Sequence, residues 1–160
     1  MALFQPTALF RGAEYITPEY LREHGIRALI LDVDNTLTGH GSQQLPPAIA
    51  AWLQTMKESG VKLRVASNNM PGRVRPFAQK IGLPYSALCC KPAPFGLWHA
   101  CREMGVRPCE AALVGDQVFT DAMGANLAGV QMLLVQPMYR DIKPLIRLRR
   151  HLEKPVLRRY

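Results

Sequence analysis

The sequence predicts an α/β fold: a doubly wound, mostly parallel five-stranded sheet with helices on both faces and no substantial cap domain. Three observations carry this. Apolar runs alternate with helical patterns from residue 18 to residue 136, helical patterns stop at glycines, and each interval between strands holds one helix and its turns with no space for a second domain.

The elements follow in order. A short N-terminal helix, residues 17–24, has Thr17 as its cap and Gly25 as its stop. The first strand is Ala28–Val33, a near-continuous apolar run of the kind buried on both faces. Thr38–Leu45, with Gly39, His40, Gly41 and Ser42, reads as a mobile loop. Pro46-Pro47 opens a helix that runs to Ser59 and stops at Gly60. The further strands are Lys62–Ala66, Tyr85–Cys89, Ala111–Val114 and Gln131–Val135, and the helices between them end at Gly82, Gly105 and Gly129. Residues 1–137 form the domain; residues 138–160 are a basic, partly helical C-terminal segment.

A chain of 160 residues buries a continuous core without disulfides or a structural metal. No apolar run reaches the ~20 residues of a membrane helix, and MALFQPTALFRG lacks the basic start and long apolar stretch of a signal peptide. Cys89, Cys90, Cys101 and Cys109 have neither CxxC spacing nor a histidine pair to complete a zinc site, so reduced thiols and a cytoplasmic setting are expected. The Cys89-Cys90 pair reads as strand packing, with oxidation sensing as the alternative. A net charge of +8 favours anionic partners, and most of the excess lies beyond Met138, in Arg140, Lys143, Arg147, Arg149, Arg150, Lys154, Arg158 and Arg159.

In a doubly wound sheet, ligands bind beyond the carboxyl ends of the strands. There the sequence places Asp32-Val33-Asp34-Asn35-Thr36, then Ser67-Asn68-Asn69, then Lys91-Pro92, then Gly115-Asp116 with Thr120-Asp121. Phosphoryl transfer needs a nucleophile, a proton donor for the departing oxygen, a divalent cation and donors to the phosphate oxygens. Asp32 supplies a carboxylate nucleophile, and Asp34, two residues on and on the same side, an acid and base. Asp32, the carbonyl of Asp34, and Asp116 offer the oxygen ligands that Mg²⁺ prefers. Lys91 adds a second positive charge, Ser67 a hydroxyl donor, and Asn68 and Asn69 amide donors. Asp121 is placed to hold a metal-bound water, and Thr36 to stabilise the turn through its hydroxyl.

These segments, in this order, resemble the four motifs of the haloacid dehalogenase-like (HAD) phosphatases over nearly the whole domain. The resemblance implies a Rossmann-like HAD fold with Asp32 as nucleophile, Asp34 as acid and base, Ser67 as phosphate donor, Lys91 as charge stabiliser, and Asp116 and Asp121 as metal-side acids. The wording LILDVDNTLT, VASNN, KPAP and GDQVFTDAMGAN is similar to the capless IIIA branch, in particular the YqeG family and the related phosphatidylglycerophosphate phosphatases of mitochondria and plastids. That narrower likeness implies a phosphorylated lipid substrate. Gly124-Ala125-Asn126 stands where the family has a GGN-like turn.

Bland readings stand beside these. Asn126 reads as a partner of local backbone, His40 as a loop residue near the nucleophile, and Trp52 and Trp98 as parts of apolar helix faces. In the C-terminal segment, Ile142, Leu145, Ile146, Leu148 and Leu152 fall in one helical arc with arginines outside it. That arc packs on the sheet with a solvated basic rim, or meets an anionic membrane surface at the inner face; RNA is a third partner, without an aromatic platform. Three functions therefore compete: a lipid phosphatase, a phosphatase of a soluble nucleotide or sugar ester, and a non-catalytic RNA- or ribosome-binding protein. Retention of Asp32, Asp34, Lys91 and Asp116 together argues against the last.

Overall fold

Strand β2 (Ala28–Leu31), buried at every residue, lies inside the sheet with β3 (Lys62–Ala66) on one side and β5 (Ala111–Gly115) on the other. The computed structural model describes residues 3–141 and 144–157, and the side chains of these except Arg149, Val156 and Leu157. Ile142, Lys143, Arg158 and Arg159 of the expected basic segment lie outside the described residues.

The sheet has six strands, all parallel, in the order β1-β6-β5-β2-β3-β4, with β1 at Ala8–Phe10, β4 at Tyr85–Ser86 and β6 at Gln131–Val135. Helices α1 (Pro18–Glu23), α2 (Pro47–Glu58), α3 (Pro71–Lys80), α4 (Phe95–Met104) and α5 (Met123–Ala128) connect them, and α6 (Pro144–Leu157) follows the last strand. From β2 the chain moves outward through β3 to β4, then returns to the other side of β2 for β5 and β6. The strand order thus reverses at β2, which opens a crevice beyond its carboxyl end.

The core divides on the two faces by strand alternation. Leu29, Leu31, Val65, Val114 and Leu133 point toward α1, α2 and α3, where Leu21, Trp52, Met56 and Phe77 pack. Ala28, Ile30, Leu113 and Met132 point toward α4 and α5, against Leu97, Cys101 and Ala125. The expected caps hold: Thr17 Oγ1 accepts from Tyr20 N at 3.1 Å, and Gly25, Gly60, Gly82, Gly105 and Gly129 have positive φ.

Two features differ from the sequence reading. The sixth strand, β1, comes from a segment with no predicted element; a three-residue edge strand is too short to show alternation, and Asn126 helps to fix its approach by donating to the carbonyls of Leu3 and Gln5. The strand expected over Tyr85–Cys89 ends at Ser86, because Leu88 and Cys90 adopt positive φ, which a ladder cannot contain. Cys89 is buried and Cys90 exposed, and the four cysteines are free. Trp52 is buried as expected, whereas Trp98 is 44% exposed.

Candidate active site

Asp32 follows β2 directly and continues its ladder, donating its N–H to Val114 O at 2.9 Å. The chain then turns tightly: the amides of Thr36, Leu37 and Thr38 converge on Val33 O, and Asn35 takes φ 58. Asparagine tolerates that left-handed position better than most residues. The Thr36 hydroxyl is buried without a hydrogen-bond partner among the described residues, so it does not brace the turn by the backbone bond expected from its type.

The turn folds the Asp34 carboxylate against three donors: Gly41 N at 2.8 Å, Arg73 Nη2 at 2.7 Å, and the side-chain amide of Asn69. Ser67 ends the path of β3, and its Oγ accepts from Asn69 N and Asn69 Nδ2, both at 3.2 Å, which leaves its proton to donate. The Asn68 side chain clamps the backbone of Lys91, donating to Lys91 O at 2.8 Å and accepting from Lys91 N at 2.7 Å. Its amide group is therefore a support for Lys91, a role the sequence did not suggest.

Lys91 is 5% exposed and its three protons have three acceptors: Asp121 Oδ1 at 2.7 Å, Asp32 Oδ1 at 3.0 Å and Ala66 O at 3.1 Å. Beyond β5, Asp116 is 2% exposed, and Asp121 sits in a turn of π-helix (Val118–Ala122) that leads into α5. Gly115 makes this packing feasible, since a Cβ there would lie 2.5 Å from Asp121 Oδ2.

Carboxylate oxygens of Asp32, Asp116 and Asp121 all lie within 4.8 Å of one another, and Asp116 Oδ1 is buried with no partner among the described residues. An orphaned buried acceptor beside two further carboxylates fits a hard divalent cation. Asp34 directs its carboxylate to Gly41, Arg73 and Asn69, and Asp121, expected to hold a metal-bound water, is the third of the converging carboxylates.

Burial and crowding shape the charges. Burial pushes the Asp32 carboxyl up to about 6; Lys91 opposes the shift, while Asp121 and Asp34 add to it. Burial also raises Asp116 well above the usual carboxylate range, with Arg150 opposing and Asp121 and Asp32 reinforcing. For Lys91, burial works against the charge, yet Asp121 and Asp32 more than offset it and raise its pKa.

Arg150, on α6, was not singled out by the sequence. Its guanidinium donates to the carboxylate and the carbonyl of Asp116, to Asp141 Oδ2 at 2.9 Å, and to Glu153 Oε2 at 3.3 Å. Glu153, 3% exposed, in turn accepts from Val118 N at 2.9 Å. Asp141 Oδ1 accepts from Asn35 Nδ2 at 2.9 Å, which joins the C-terminal segment to the turn after Asp32. Of the two readings of α6, the one that packs its apolar arc on the sheet does not hold for Leu145, Leu148 and Leu152. Its charged residues dock, Ile146 lines the cleft, and Leu145, Leu148 and Leu152 remain 62%, 57% and 55% exposed.

The structure thus brings Asp32, Asp34, Ser67, Asn68, Asn69, Lys91, Asp116 and Asp121 to the rim of one cleft of about 200 Å³, with His40 also on its wall. Arg73, Asp141, Arg150 and Glu153 are the residues that sequence reasoning missed. A lone glutamate in an arginine-rich helix was the one local signal for any of them.

A family model described as haloacid dehalogenase-like hydrolase matches residues 39–129, a span that takes in Ser67, Lys91, Asp116 and Asp121 but begins after Asp32. The chain is 32% identical to the probable phosphatase YqeG of Bacillus subtilis (strain 168), over 96% of this chain and 90% of that protein. It is 26% identical to phosphatidylglycerophosphate phosphatase 1, chloroplastic/mitochondrial, of Arabidopsis thaliana, over 97% of this chain but about half, 47%, of that protein. Among solved structures, the 3-deoxy-D-manno-octulosonate 8-phosphate phosphatase of Moraxella catarrhalis, in complex with magnesium, phosphate and KDO, superposes with a TM-score of 0.50. That likeness has 19% identity, covers 64% of each chain, and concerns the fold.

Proposed function

The chain belongs to the haloacid dehalogenase-like hydrolase family as a phosphatase, and from that premise we propose that it is a Mg²⁺-dependent phosphomonoester hydrolase working through an aspartyl-phosphate on Asp32. One observation carries the reading. At the point where the strand order reverses, three buried carboxylates converge within 4.8 Å, and Lys91 bridges two of them.

Asp32, Asp116 and Asp121 would hold Mg²⁺, whose charge offsets the repulsion between these acids and an incoming phosphate. In the first half-reaction an Asp32 oxygen attacks phosphorus and the bond to the alcohol oxygen breaks, with Asp34 giving that oxygen a proton. In the second, Asp34 takes a proton from water as the water oxygen attacks phosphorus and the bond to Asp32 breaks. The three donors around Asp34 fit the carboxylate form of the second half. In the acid form, Oδ1 still accepts from Gly41 and Arg73, while Oδ2 accepts from Asn69 and carries the proton to be donated. Ser67 Oγ–H and Asn68 N–H, which has no acceptor among the described residues, face the cleft as donors to phosphate oxygens. Lys91 stabilises the charge that spreads onto the phosphoryl group.

The substrate proposed is phosphatidylglycerophosphate. The Arabidopsis relative carries that activity in its name and aligns with 97% of this chain. Among the described residues no cap covers the cleft, and α6 at its margin exposes three leucines. Such a face suits contact with a membrane surface. Among the described residues no helix is long and apolar enough to cross a membrane. A soluble phosphate ester is the second reading, favoured by the small volume of the cleft itself.

The test is phosphate release with and without Mg²⁺ from phosphatidylglycerophosphate in vesicles and from soluble esters, run beside Asp32→Asn. Mg²⁺-dependent turnover lost in a folded variant establishes the chemistry. Preference for soluble esters, with no sedimentation on anionic vesicles, removes the lipid substrate.

A further inference from the structure

Beside the acidic cleft lies a second one of about 400 Å³, between the turn Tyr139–Asp141 and one side of α6; Asp141 lines both. The second cleft is basic. Arg140, Arg147, Arg150, His151 and Lys154 line it, and the spacing of 147, 151 and 154 sets three of them on one stripe of the helix. Arg150 is engaged by Asp116, Asp141 and Glu153. Arg140, Arg147, His151 and Lys154 have no hydrogen-bond or ion-pair partner among the described residues.

Unpaired arginines and lysines gathered around a concavity repel one another and attract an anion. The one acid on this wall does not cancel them, since Asp141 is paired with Arg150 and leaves Arg140, Arg147 and Lys154 in excess. Guanidinium groups match phosphate oxygens through paired hydrogen bonds. We propose that this cleft is a second anion site, which holds a phosphate or phosphodiester group of the same molecule whose terminal phosphate reacts at Asp32. The proposal rests on the phosphomonoesterase reading and adds a subsite to it: the preferred substrate carries a second anionic group beyond the phosphate that reacts. The shared wall at Asp141 makes the second group a neighbour of the first, so one molecule spans both clefts.

The test uses the full chain with Mg²⁺ and the double variant Arg147→Gln/Lys154→Gln. Both positions are exposed and outside the acidic cleft, and unchanged melting confirms the fold. The probe is glycerophosphoglycerol, a phosphodiester with no monoester to hydrolyse. Wild type binds it by calorimetry, and the variant weakens that binding about tenfold or more, the effect of losing charged hydrogen bonds. In turnover, the variant raises KM about tenfold for a substrate with both a monoester and a diester phosphate, leaves kcat unchanged, and leaves KM for p-nitrophenyl phosphate unchanged. Equal diester binding by both proteins, or KM changes alike for both substrates, overturns the proposal. A variant that loses only sedimentation with phosphatidylglycerol vesicles, with diester binding intact, shows cations serving a lipid surface and also overturns it. Should no phosphomonoester be hydrolysed, the enzymatic reading fails on its own, and the diester titration still decides the site.

Discussion

Arg150 grips Asp116 twice, donating to both its carboxylate and its carbonyl, and so couples the C-terminal helix to a carboxylate of the candidate metal centre. Removing one partner of a buried ion pair costs about 3–5 kcal/mol, because the other charge stays behind without compensation. With Arg150 partly exposed at 20%, Arg150→Ala in metal-free protein is expected to lose about 3 kcal/mol, at the lower end of that range. The sign of the pH dependence follows from Asp116. Burial already raises its pKa, and loss of Arg150 raises it further, so the protonated form is tolerated at low pH and the lone charge is felt as pH rises. Urea unfolding in EDTA should show a larger deficit at about pH 8 than at about pH 5. An equal deficit at both would place the effect in helix packing and not in the charge pair.

Protons and a cation compete for the same carboxylates, so the stabilisation by Mg²⁺ should depend on pH. Asp32, held up to about 6 mainly by burial, is raised above its unfolded value. Its contribution to metal-free stability is complete below the ordinary carboxylate range and is lost as pH rises through about 6. Mg²⁺ reverses that loss. At roughly 100 times its Kd it adds about 2.7 kcal/mol near pH 7.5, and most of this should vanish near pH 5, where protons hold Asp32 and Asp116. Thermal shift with and without Mg²⁺ at the two pH values checks this, and an equal shift at both would count against the carboxylate trio as the binding site.

Much of this arrangement was legible beforehand, for a definable reason. Asp32, Ser67, Lys91 and Asp116 each stand at the end of a strand marked by its own apolar run, and parallel strands bring such ends to one edge whatever the details of packing. What sequence did not show depends on contacts between distant segments. The Asn35–Asp141 bond spans 106 residues, and the Arg73–Asp34 bond spans 39 without any local pattern. In α6 the helical period grouped the apolar residues into one arc, but periodicity does not say which face docks. Arg150 and Glu153 found buried partners, and the leucines turned outward. Likewise, β1 pairs with β6 through three residues only, too few for alternation to be read.

The proton-transfer role of Asp34 separates esters by their leaving group. General acid catalysis contributes about 10²–10⁴-fold where the departing oxygen needs a proton, and little where it does not. Asp34→Asn keeps the shape: its Oδ1 can still accept from Gly41 N and Arg73, and the Asn69 side-chain amide must flip to accept from the new NH2. The kcat for an alkyl phosphate is then expected to fall at least about 100-fold, and that for the formation of phosphoenzyme from p-nitrophenyl phosphate far less. Burst kinetics isolate that first step. Equal loss for both esters would mean that Asp34 positions the site without moving the proton.

Gly115 offers a test of how closely the candidate site depends on packing beneath it. The residue ends β5 and lies under Asp121, so that an added Cβ would sit 2.5 Å from Asp121 Oδ2 and 2.6 Å from its Cγ. Neither neighbour yields easily. Asp121 Oδ1 is held by Lys91 at 2.7 Å, its Oδ2 accepts from Gln117 N at 3.1 Å, and the chain around it is fixed by the π-helical turn. Gly115→Ala must therefore shift the Asp121 carboxylate, at an overpacking cost of about 1–3 kcal/mol. The shift also reaches Lys91 and, through its 3.0 Å contact, Asp32. Calorimetry should register weaker Mg²⁺ binding alongside the lower melting temperature, whereas a substitution that merely strained the strand would lower the melting temperature and leave the metal affinity as it was.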